Sequence, residues 1–287
     1  HYRPYEHFQL YECDGMPEYF YGEMVPSTGY VPVFDLRLLL PGLALLLPDR
    51  ADPSRASRLV ELPKLMRTFA ESARWNEILG ISNVADLNEM IEKRTLREFI
   101  RVNEELHEIS LVNIAQKFLA SGARLILVAG PSSSGKTTFG KRLAIQLLVN
   151  GIKPVNLSLD NYFVNREDTP RDEKGEYDFE TIDALDINTF NENIMSLLRG
   201  EEVEIPKFSF ETGQRFYDGE KLKMTRNNVI IVEGIHGLNP KLTECLPHES
   251  LFKIFISALT VISIDNHNII NPSDNRLIRR MVRDHKY

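Results

Sequence analysis

Residues 124–138 read RLILVAGPSSSGKTT, and this stretch decides the fold. A short apolar run rich in β-formers leads into a Gly/Ser loop, and a helical pattern begins at Lys136. The loop matches G-x-x-x-x-G-K-[ST], in which glycines let backbone N–H groups turn toward phosphate oxygens at the positive end of the next helix. An accidental Gly/Ser turn is the alternative interpretation. The strand before the loop and the helix after it favour a phosphate-binding loop.

The loop predicts a site for ATP with Mg²⁺. Lys136 is expected to reach the β- and γ-phosphates, and the hydroxyl of Thr137 is expected to bind the metal ion. The predicted ATP-binding residues are Gly130, Pro131, Ser132, Ser133, Ser134, Gly135, Lys136, Thr137 and Thr138.

Beyond Gly122 the chain alternates between predicted strands and predicted helices. Strands are expected at 124–129, 154–159 and 228–232, helices at 136–149 and 187–198, and a hairpin-like stretch at 203–224. This alternation is typical of a parallel sheet covered on both faces. The sequence therefore predicts an α/β core with a mostly parallel sheet flanked by helices, whose ligands bind beyond the carboxyl ends of the strands.

The residues before this core have a different pattern. Short apolar runs lie between turn signals, and residues 38–47 predict a core strand pair with a turn at Pro41-Gly42. Helical spacing follows at residues 62–79 and, with many charges, at residues 84–119.

These patterns predict three segments. They are a small α+β module at 1–82, a helical connector at 83–122 and the α/β core at 123–287. The chain begins with His1 and stops at Tyr287 within a charged helical pattern, so we expect further sequence at both ends.

Composition and charge exclude several classes of protein. The 287 residues include 34 Lys+Arg and 41 Asp+Glu, and a net charge of −7 argues against binding nucleic acid through bulk charge. Two cysteines, Cys13 and Cys245, exclude a disulfide-stapled scaffold and fit a reducing compartment. The most apolar stretch, 38–47, is far shorter than the ~20 residues of a membrane-spanning helix, and no signal peptide is visible. We expect a cytoplasmic protein without a membrane partner.

Two acidic residues follow predicted strands of the sheet. Asp160 lies just beyond the second strand, where its carboxylate could accept a proton from an attacking hydroxyl or help hold the metal ion. Glu233 follows the third strand, the position expected of a second acidic group near Mg²⁺. The alternatives are an Asp that caps a loop and a solvent-facing Glu.

Four arginines near the end of the chain share one helical face. Arg276, Arg279, Arg280 and Arg283 stand at i, i+3, i+4 and i+7. A transferring phosphoryl group is an anion suited to such a face. A surface helix with local acidic partners is the alternative, and we favour a closing lid with Arg279 and Arg283 as its main catalytic residues.

Together these segments resemble the uridine kinase and phosphoribulokinase family of P-loop kinases. The resemblance covers about residues 124–284 and rests on six ordered motifs. They are GPSSSGKTT, SLDNYF, YDFETIDALD, IPKFSF, VIIVEGI and RRMVRD. It implies a P-loop kinase core that uses ATP and Mg²⁺.

The resemblance also implies roles for particular residues. Thr137, Asp160 and Glu233 are similar to the metal-side residues of the family, and Asp160 also to the residue that activates a nucleoside 5′-hydroxyl. The acceptor-binding residues implied by the matching motifs are Tyr162, Phe179, Glu180, Phe208 and Arg215.

Departures from the family pattern leave the acceptor open. Glu180 stands in place of an Asp, Phe208 in place of a Tyr and Gly213 in place of a His that helps read the pyrimidine. Two polar contacts that would specify a base are therefore absent. A nucleoside is the first expectation, and a sugar phosphate or another small alcohol is the runner-up. A nucleotide-switched regulatory or RNA-associated binding protein is the alternative outside enzymes. By analogy with related kinases we expect a homo-oligomer.

Residues 5–87 have a partial likeness of their own. The run from Tyr21 to Tyr30 and the following FDLRLLLPG resemble the threonyl-tRNA-synthetase-like module that precedes a uridine-kinase-like domain in some bacterial-type proteins. His1, His7 and Cys13 have no regular ligand spacing, so a metal site is not expected there. The likeness implies a regulatory or vestigial binding element.

Overall fold

The computed structural model describes residues 10–20, 22–40, 42–258, 262–265 and 268–286. The predictions that involve His1, His7, Tyr21, Pro41 and Tyr287 fall outside these ranges. The chain divides into two compact units, His1–Arg74 and Trp75–Tyr287.

Strands and helices are numbered in chain order. The strands are β1 (Leu10–Cys13), β2 (Met16–Tyr19), β3 (Asp35–Leu39), β4 (Gly42–Leu46), β5 (Leu125–Ala129), β6 (Lys153–Ser158), β7 (Glu202–Glu204), β8 (Lys207–Ser209), β9 (Gln214–Phe216), β10 (Lys221–Lys223), β11 (Asn228–Gly234) and β12 (Leu251–Phe255). The helices are α1 (Pro63–Leu79), α2 (Val84–Glu92), α3 (Leu96–Ser121), α4 (Lys136–Val149), α5 (Ile187–Arg199) and α6 (Pro272–Lys286).

The first unit contains two antiparallel hairpins, β1–β2 and β3–β4. In the second hairpin Leu36 lies opposite Leu45 and Leu38 opposite Leu43, and these four side chains are between 53% and 71% exposed. The predicted strand pair is confirmed, but its assignment to a core is wrong. Among the described residues of this unit, nothing covers the leucine face of the hairpin.

A four-stranded parallel sheet in the order β12-β5-β11-β6 forms the centre of the second unit. The predicted α/β architecture is confirmed. The sequence analysis missed β12, in which Ile254 is the one side chain classed as buried. An edge strand with so little burial carries a weak hydrophobic pattern.

Alternate residues of β5 point to two separate cores. Leu125 and Leu127 pack with side chains of α5 on one face of the sheet. Ile126 and Val128 pack on the other face with side chains of α3 and α4. This alternation is what covers a parallel sheet on both faces, and it leaves the carboxyl edge of the strands for ligands.

The segment predicted as a connector belongs to the second unit. The chain takes a left-handed turn at Arg94 (φ +61°), so the predicted helix over 84–119 is two helices, α2 and α3. Leu111, Ala115 and Phe118 of α3 are fully buried against the sheet core. The division after Arg74 therefore differs from the predicted boundaries at 82 and 122. Helix α3 belongs to the second unit because the spacing of these three residues places one of its faces in the core.

Between α5 and β11 the chain forms two short antiparallel pairs, β7 with β10 and β8 with β9. They confirm the predicted hairpin-like stretch. None of the helices within the described ranges combines the length and the apolar character needed to span a membrane.

Candidate nucleotide-binding site

The phosphate-binding loop connects β5 to α4 along a path that requires glycine. A Cβ at Gly130 would lie 2.2 Å from the carbonyl oxygen of Ile256, which follows β12. Gly135 has a φ of +99° and precedes the first residue of α4, and Ser133 also has a positive φ, +61°. These conformations place the loop around the amino end of α4, where backbone N–H groups and the helix dipole favour an anion.

Lys136 lies half-buried at the start of α4. Its ammonium donates a hydrogen bond to the carbonyl oxygen of Pro131, at 3.2 Å. Burial lowers the pKa of Lys136, nearby Glu233 and Asp160 act in the opposite direction, and Arg276 lowers it further. Burial therefore outweighs the acidic neighbours, and an added anion such as a phosphate would favour the charged form of Lys136.

Thr137 and Glu233 meet at the carboxyl edge of the sheet. The Thr137 hydroxyl donates to the carboxylate of Glu233, with oxygen–oxygen distances of 2.8 and 2.9 Å. In the sheet Glu233 lies opposite Val128 of β5 and Ser158 of β6. This register, together with the turn into α4, brings together two side chains that are far apart in sequence.

The chemistry of these oxygens fits Mg²⁺. Within the described ranges there is no cluster of three or more His, Cys, Asp or Glu side chains suited to a metal ion. Mg²⁺ commonly uses one or two protein carboxylates and takes its other ligands from phosphates and water. The hydroxyl of Thr137 and the carboxylates of Glu233 and Asp160 could therefore supply the protein ligands of a metal ion that arrives with a nucleotide.

Asp160 stands in a short 3₁₀ turn that directly follows β6. Its backbone N–H donates to the hydroxyl oxygen of Ser158, at 3.3 Å, which fixes the start of the turn. Partial desolvation in the cleft raises the pKa of the Asp160 carboxyl, Lys136 opposes this rise, and Glu233 adds to it. The carboxyl is thus a stronger proton acceptor, once ionised, than an ordinary Asp.

A cleft of about 1150 Å³ joins these groups. From the loop its lining includes Pro131, Ser132, Ser133, Gly135, Lys136, Thr137 and Thr138, and from the rest of the predicted site it includes Asp160, Glu180, Glu233, Arg279 and Arg283. Two other loop residues, Gly130 and Ser134, do not line the cleft, and Ser134 is buried, at 6% exposed. The lining also includes Phe163, Phe210 and His236, which were not among the predicted site residues.

Helix α6 brings two arginines to the loop. Arg276 donates from Nε to the carbonyl oxygen of Ser132 at 2.9 Å, and Arg279 donates from Nε to that of Ser133 at 3.1 Å. Two of the four arginines of the predicted face therefore contact the loop, and Arg276 was given a smaller role than its contact indicates.

The other two arginines of that face contact an acidic neighbour. Arg283 pairs with Asp284 at 2.9 Å and lines the cleft. Arg280 pairs with the same Asp284 at 3.5 Å and is absent from the cleft lining.

Four of the five predicted acceptor-binding residues are absent from the cleft lining, and two of the four, Tyr162 and Arg215, have other partners. Tyr162 is fully buried in the core, where it accepts a hydrogen bond from Asn193 at 3.3 Å and where burial raises its pKa to about 12. Arg215 pairs with Asp186 at 2.7 Å, which ties β9 to the start of α5. These contacts differ from the predicted ones, because the 3₁₀ turn points Tyr162 inward and an acidic partner engages Arg215.

Phenylalanine side chains form one wall of the cleft. Phe163 lines the cleft, and the predicted residues Phe179 and Phe208 pack behind it with ring centroids 5.8 and 5.5 Å away. Phe210 also lines the cleft and lies 5.2 Å from Phe208. The aromatic residues of SLDNYF and IPKFSF were the signal for this wall in the sequence. The sequence did not show which of these rings lines the cleft.

Gly213 has a structural reason to lack a side chain. Its φ is +71°, and a Cβ there would lie 2.6 Å from Nε of Arg166. Arg166 also donates from Nη2 to the carbonyl oxygen of Phe210 at 2.7 Å. The guanidinium of Arg166 thus fills the space beside the turn between β8 and β9.

A parallel sheet whose strand β5 leads into this loop, with acidic residues at the ends of the neighbouring strands, defines a P-loop nucleotide-binding protein. Residues 125–287 match the phosphoribulokinase/uridine kinase family. The chain belongs to that family.

Several known proteins are similar to parts of the chain. It is 32% identical over 131 residues to a uridine kinase of Schizosaccharomyces pombe, covering 45% of this chain and 28% of that protein. It is 32% identical over 126 residues to inorganic pyrophosphatase TTM2 of Arabidopsis thaliana, covering 44% of this chain and 17% of that protein. The chain therefore spans less than a third of the length of these two relatives. A uridine kinase of Leuconostoc citreum is 26% identical over 160 residues, covering 56% of this chain and 68% of that protein.

Among solved structures, one described as a possible uridine kinase from Bacillus stearothermophilus has a TM-score of 0.42 and 19% identity, covering 64% of this chain and 91% of that chain.

Proposed function

We propose that this protein transfers the γ-phosphoryl group of ATP, bound with Mg²⁺, to a hydroxyl group of an uncharged acceptor. A nucleoside 5′-hydroxyl is the first candidate. The observation that carries the proposal is the position of Asp160, a carboxylate with a raised pKa that lines the same cleft as Lys136 and the Thr137–Glu233 pair. The names of two similar proteins, both uridine kinases, support the nucleoside.

Each group in the cleft has a chemical task in such a transfer. The loop amides, Lys136 and Arg279 would bind the triphosphate, and Thr137 with Glu233 would hold the metal ion. Bound Mg²⁺ neutralises phosphate charge and orients the γ-phosphoryl group. Asp160 accepts the proton of the acceptor hydroxyl as the hydroxyl oxygen bonds to the γ-phosphorus, while the bond from that phosphorus to the bridging oxygen of the departing ADP breaks.

The distribution of charge along the cleft favours an uncharged acceptor over a sugar phosphate. The cations of the described lining are Lys136, Arg276, Arg279 and Arg283, and the first three contact the loop. The rest of the described lining presents the carboxylates of Asp160 and Glu180 and phenylalanine rings, and it adds no further Lys or Arg. A phosphate carried by the acceptor would meet like charge there, which is unfavourable.

A phosphotransfer panel tests the proposal. The full chain is incubated with ATP and Mg²⁺ and with uridine, cytidine, adenosine, ribose or ribose 5-phosphate, and both phosphorylated product and phosphate release are measured. We expect transfer to at least one uncharged acceptor, and transfer to ribose to exceed transfer to ribose 5-phosphate. Preferential transfer to ribose 5-phosphate would contradict the charge argument.

A matched pair of variants tests the role of Asp160. Asp160→Asn is expected to lower transfer by about 10²–10⁴-fold and to leave ATP binding nearly intact, because a general base contributes about that factor. Asp183→Asn is the control, since Asp183 is 65% exposed and its recorded ion pair, with Lys241, is a loose 3.9 Å. An active Asp160→Asn variant would refute the assignment.

One observation favours a second candidate function. Among the described residues of the first unit, none is classed as buried, although many large apolar side chains are present. This supports a unit that acts by binding a partner, with the nucleotide as a switch. In the panel above, ATP hydrolysis that is independent of every acceptor would favour this alternative.

A further inference from the structure

His236 lies on a turn that two glycines fix in place. It follows β11, three residues after Glu233, and lines the cleft. A Cβ at Gly234 would lie 2.6 Å from the side chain of Leu159, and a Cβ at Gly237 would lie 3.3 Å from the backbone of Val128. The turn is therefore held between the strand that leads into the phosphate-binding loop and the residue that precedes Asp160.

The imidazole of His236 has an unmet hydrogen-bonding capacity. Its Nε2 is buried and has no hydrogen-bond partner among the residues that the structure describes. A buried polar nitrogen without a partner is unfavourable, and native proteins rarely keep one without a functional or solvent-based reason. The turn itself satisfies its backbone, since Asn239 donates to the carbonyl oxygen of His236 at 2.8 Å.

Outside the phosphate-binding loop, the charged lining groups proposed to face the acceptor are carboxylates, which accept hydrogen bonds. The carboxylates of Asp160 and Glu180 have no proton to donate when ionised, and the hydroxyl of Ser158, which accepts the backbone N–H of Asp160, has a single proton to donate. A hydroxyl on a substrate both donates and accepts, so a polyhydroxyl acceptor needs a donor as well as carboxylates. An imidazole N–H is a donor that adds no phosphate-binding charge while it is neutral.

We propose that His236 determines acceptor specificity by donating a hydrogen bond from its ring to one hydroxyl of the uncharged acceptor. This inference rests on the proposed function of the cleft, because it concerns the molecule that receives the phosphoryl group. His236 takes no part in the proton transfer, which belongs to Asp160. Its effect therefore falls on acceptor affinity and on the choice among hydroxyl patterns, and not on the affinity for ATP.

A comparison of three variants with the wild type tests the role of the ring. His236→Leu removes the donor, His236→Gln keeps a donor of similar reach, and His248→Leu is the matched control at an exposed position. Dissociation constants for uridine and ribose, and for each of their monodeoxy analogues, are measured by calorimetry with a non-hydrolysable ATP analogue and Mg²⁺ present. Transfer kinetics and thermal unfolding are measured on the same proteins.

The expected pattern is specific to one hydroxyl. His236→Leu should weaken binding of the intact acceptor about tenfold. It should leave the binding of one monodeoxy analogue unchanged, namely the analogue that lacks the partner hydroxyl. His236→Gln should stay within about threefold of the wild type, and the affinity for the ATP analogue should not change. Because Nε2 has no protein partner, His236→Leu should unfold at a temperature no lower than the wild type.

Other outcomes overturn the inference. Equal weakening toward every analogue, a lower unfolding temperature with unchanged acceptor affinity, or a loss of ATP affinity would each assign His236 a different role. If the wild type binds the acceptor but transfers nothing, the proposed function fails while the binding comparison still decides the role of His236. If neither uridine nor ribose binds, the inference about His236 is refuted, while the phosphotransfer panel decides the proposed function separately.

Discussion

Replacing Arg215 with alanine separates two roles for this arginine, binding the acceptor or holding the fold. The family resemblance implies the first role. In the structure its guanidinium pairs with Asp186 at 2.7 Å, and the two side chains are 24% and 22% exposed. Asp186 also caps α5 by accepting hydrogen bonds from the backbone N–H and the hydroxyl of Thr189, at 3.0 and 2.8 Å. The arginine therefore connects β9 to a helix start.

The partial burial of this pair sets the size of the effect. A hydrogen bond to a charged partner contributes about 1.5–3 kcal/mol, and removing one partner of a fully buried ion pair costs about 3–5 kcal/mol. Since nearly a quarter of each side chain is open to solvent, we expect Arg215→Ala to lower the free energy of unfolding by about 2 kcal/mol. For a unit of this size that corresponds to a fall in Tm of about 4–8 °C.

The assay is scanning calorimetry of the full chain together with acceptor kinetics. Arg199→Ala is the control, because Arg199 pairs with Glu201 at 2.7 Å in an exposed position, with side chains 55% and 52% exposed. Exposed pairs contribute about 0–1 kcal/mol, so the control should move Tm by no more than about 4 °C. A Tm for Arg215→Ala no lower than that of the control, combined with a raised KM for the acceptor, would refute the structural role.

The dependence on pH gives an independent check. Burial raises the pKa of Asp186, but the hydrogen bonds from Thr189 and Arg215 outweigh it, so the pKa in the folded protein is lowered. The pair therefore stabilises the fold fully above the pKa of an unfolded Asp, about 3.9. Its contribution is lost as the pH falls through the lower pKa of the folded state. The Tm difference between the wild type and Arg215→Ala should shrink below about pH 4.

Three further predictions concern the cleft. Asp160→Asn should raise Tm at neutral pH while lowering transfer about 10²–10⁴-fold, because the raised pKa of Asp160 makes its ionised form unfavourable in the fold; in thermal unfolding the gain should vanish on acidification through that pKa. Thr137→Val should raise the Mg²⁺ concentration for half-maximal transfer about tenfold in a metal titration, since the hydroxyl beside Glu233 is lost; an unchanged titration would remove Thr137 from the metal site. Arg279→Ala should lower kcat about a hundredfold, whereas Arg280→Ala, outside the cleft lining, should stay within about twofold; equal effects would contradict the placement of α6.

The parts of the fold that the sequence predicted well depend on local chemistry. The loop, the start of α4 at Lys136 and the end of α5 at Gly200, in the left-handed region, follow from glycine and from helical spacing within a few residues. The parallel sheet followed from the order of strands and helices. The edge strand β12 and the packing of α3 on the sheet did not, because each depends on contacts with segments distant in sequence.

The difference between local signals and contacts with distant segments also explains which site residues the sequence could place. Asp160, Thr137 and Glu233 each stand next to a strand end or helix start, so their positions on one edge of the sheet followed from topology alone. Tyr162 and Phe163 are neighbours, and a 3₁₀ turn decides which ring lines the cleft. Arg215 carries no local signal for its partner, since Asp186 lies 29 residues earlier and meets it only when β9 packs near α5.

The arginines of α6 show how an acidic chain concentrates positive charge at one point. Arg276 and Arg279 each use Nε to donate to a loop carbonyl oxygen, although the paired residues are 144 and 146 positions apart in the sequence. A loop carbonyl cannot bind a phosphate, but it can hold a guanidinium by one donor and leave the others of the same planar group for an anion. The contact therefore orients the arginines before any nucleotide is bound, which reduces the conformational entropy lost on binding. A lysine, with a single ammonium on a flexible stem, could not satisfy the carbonyl and present a fixed fork at once, so the chemistry at these two positions depends on arginine and not on charge alone.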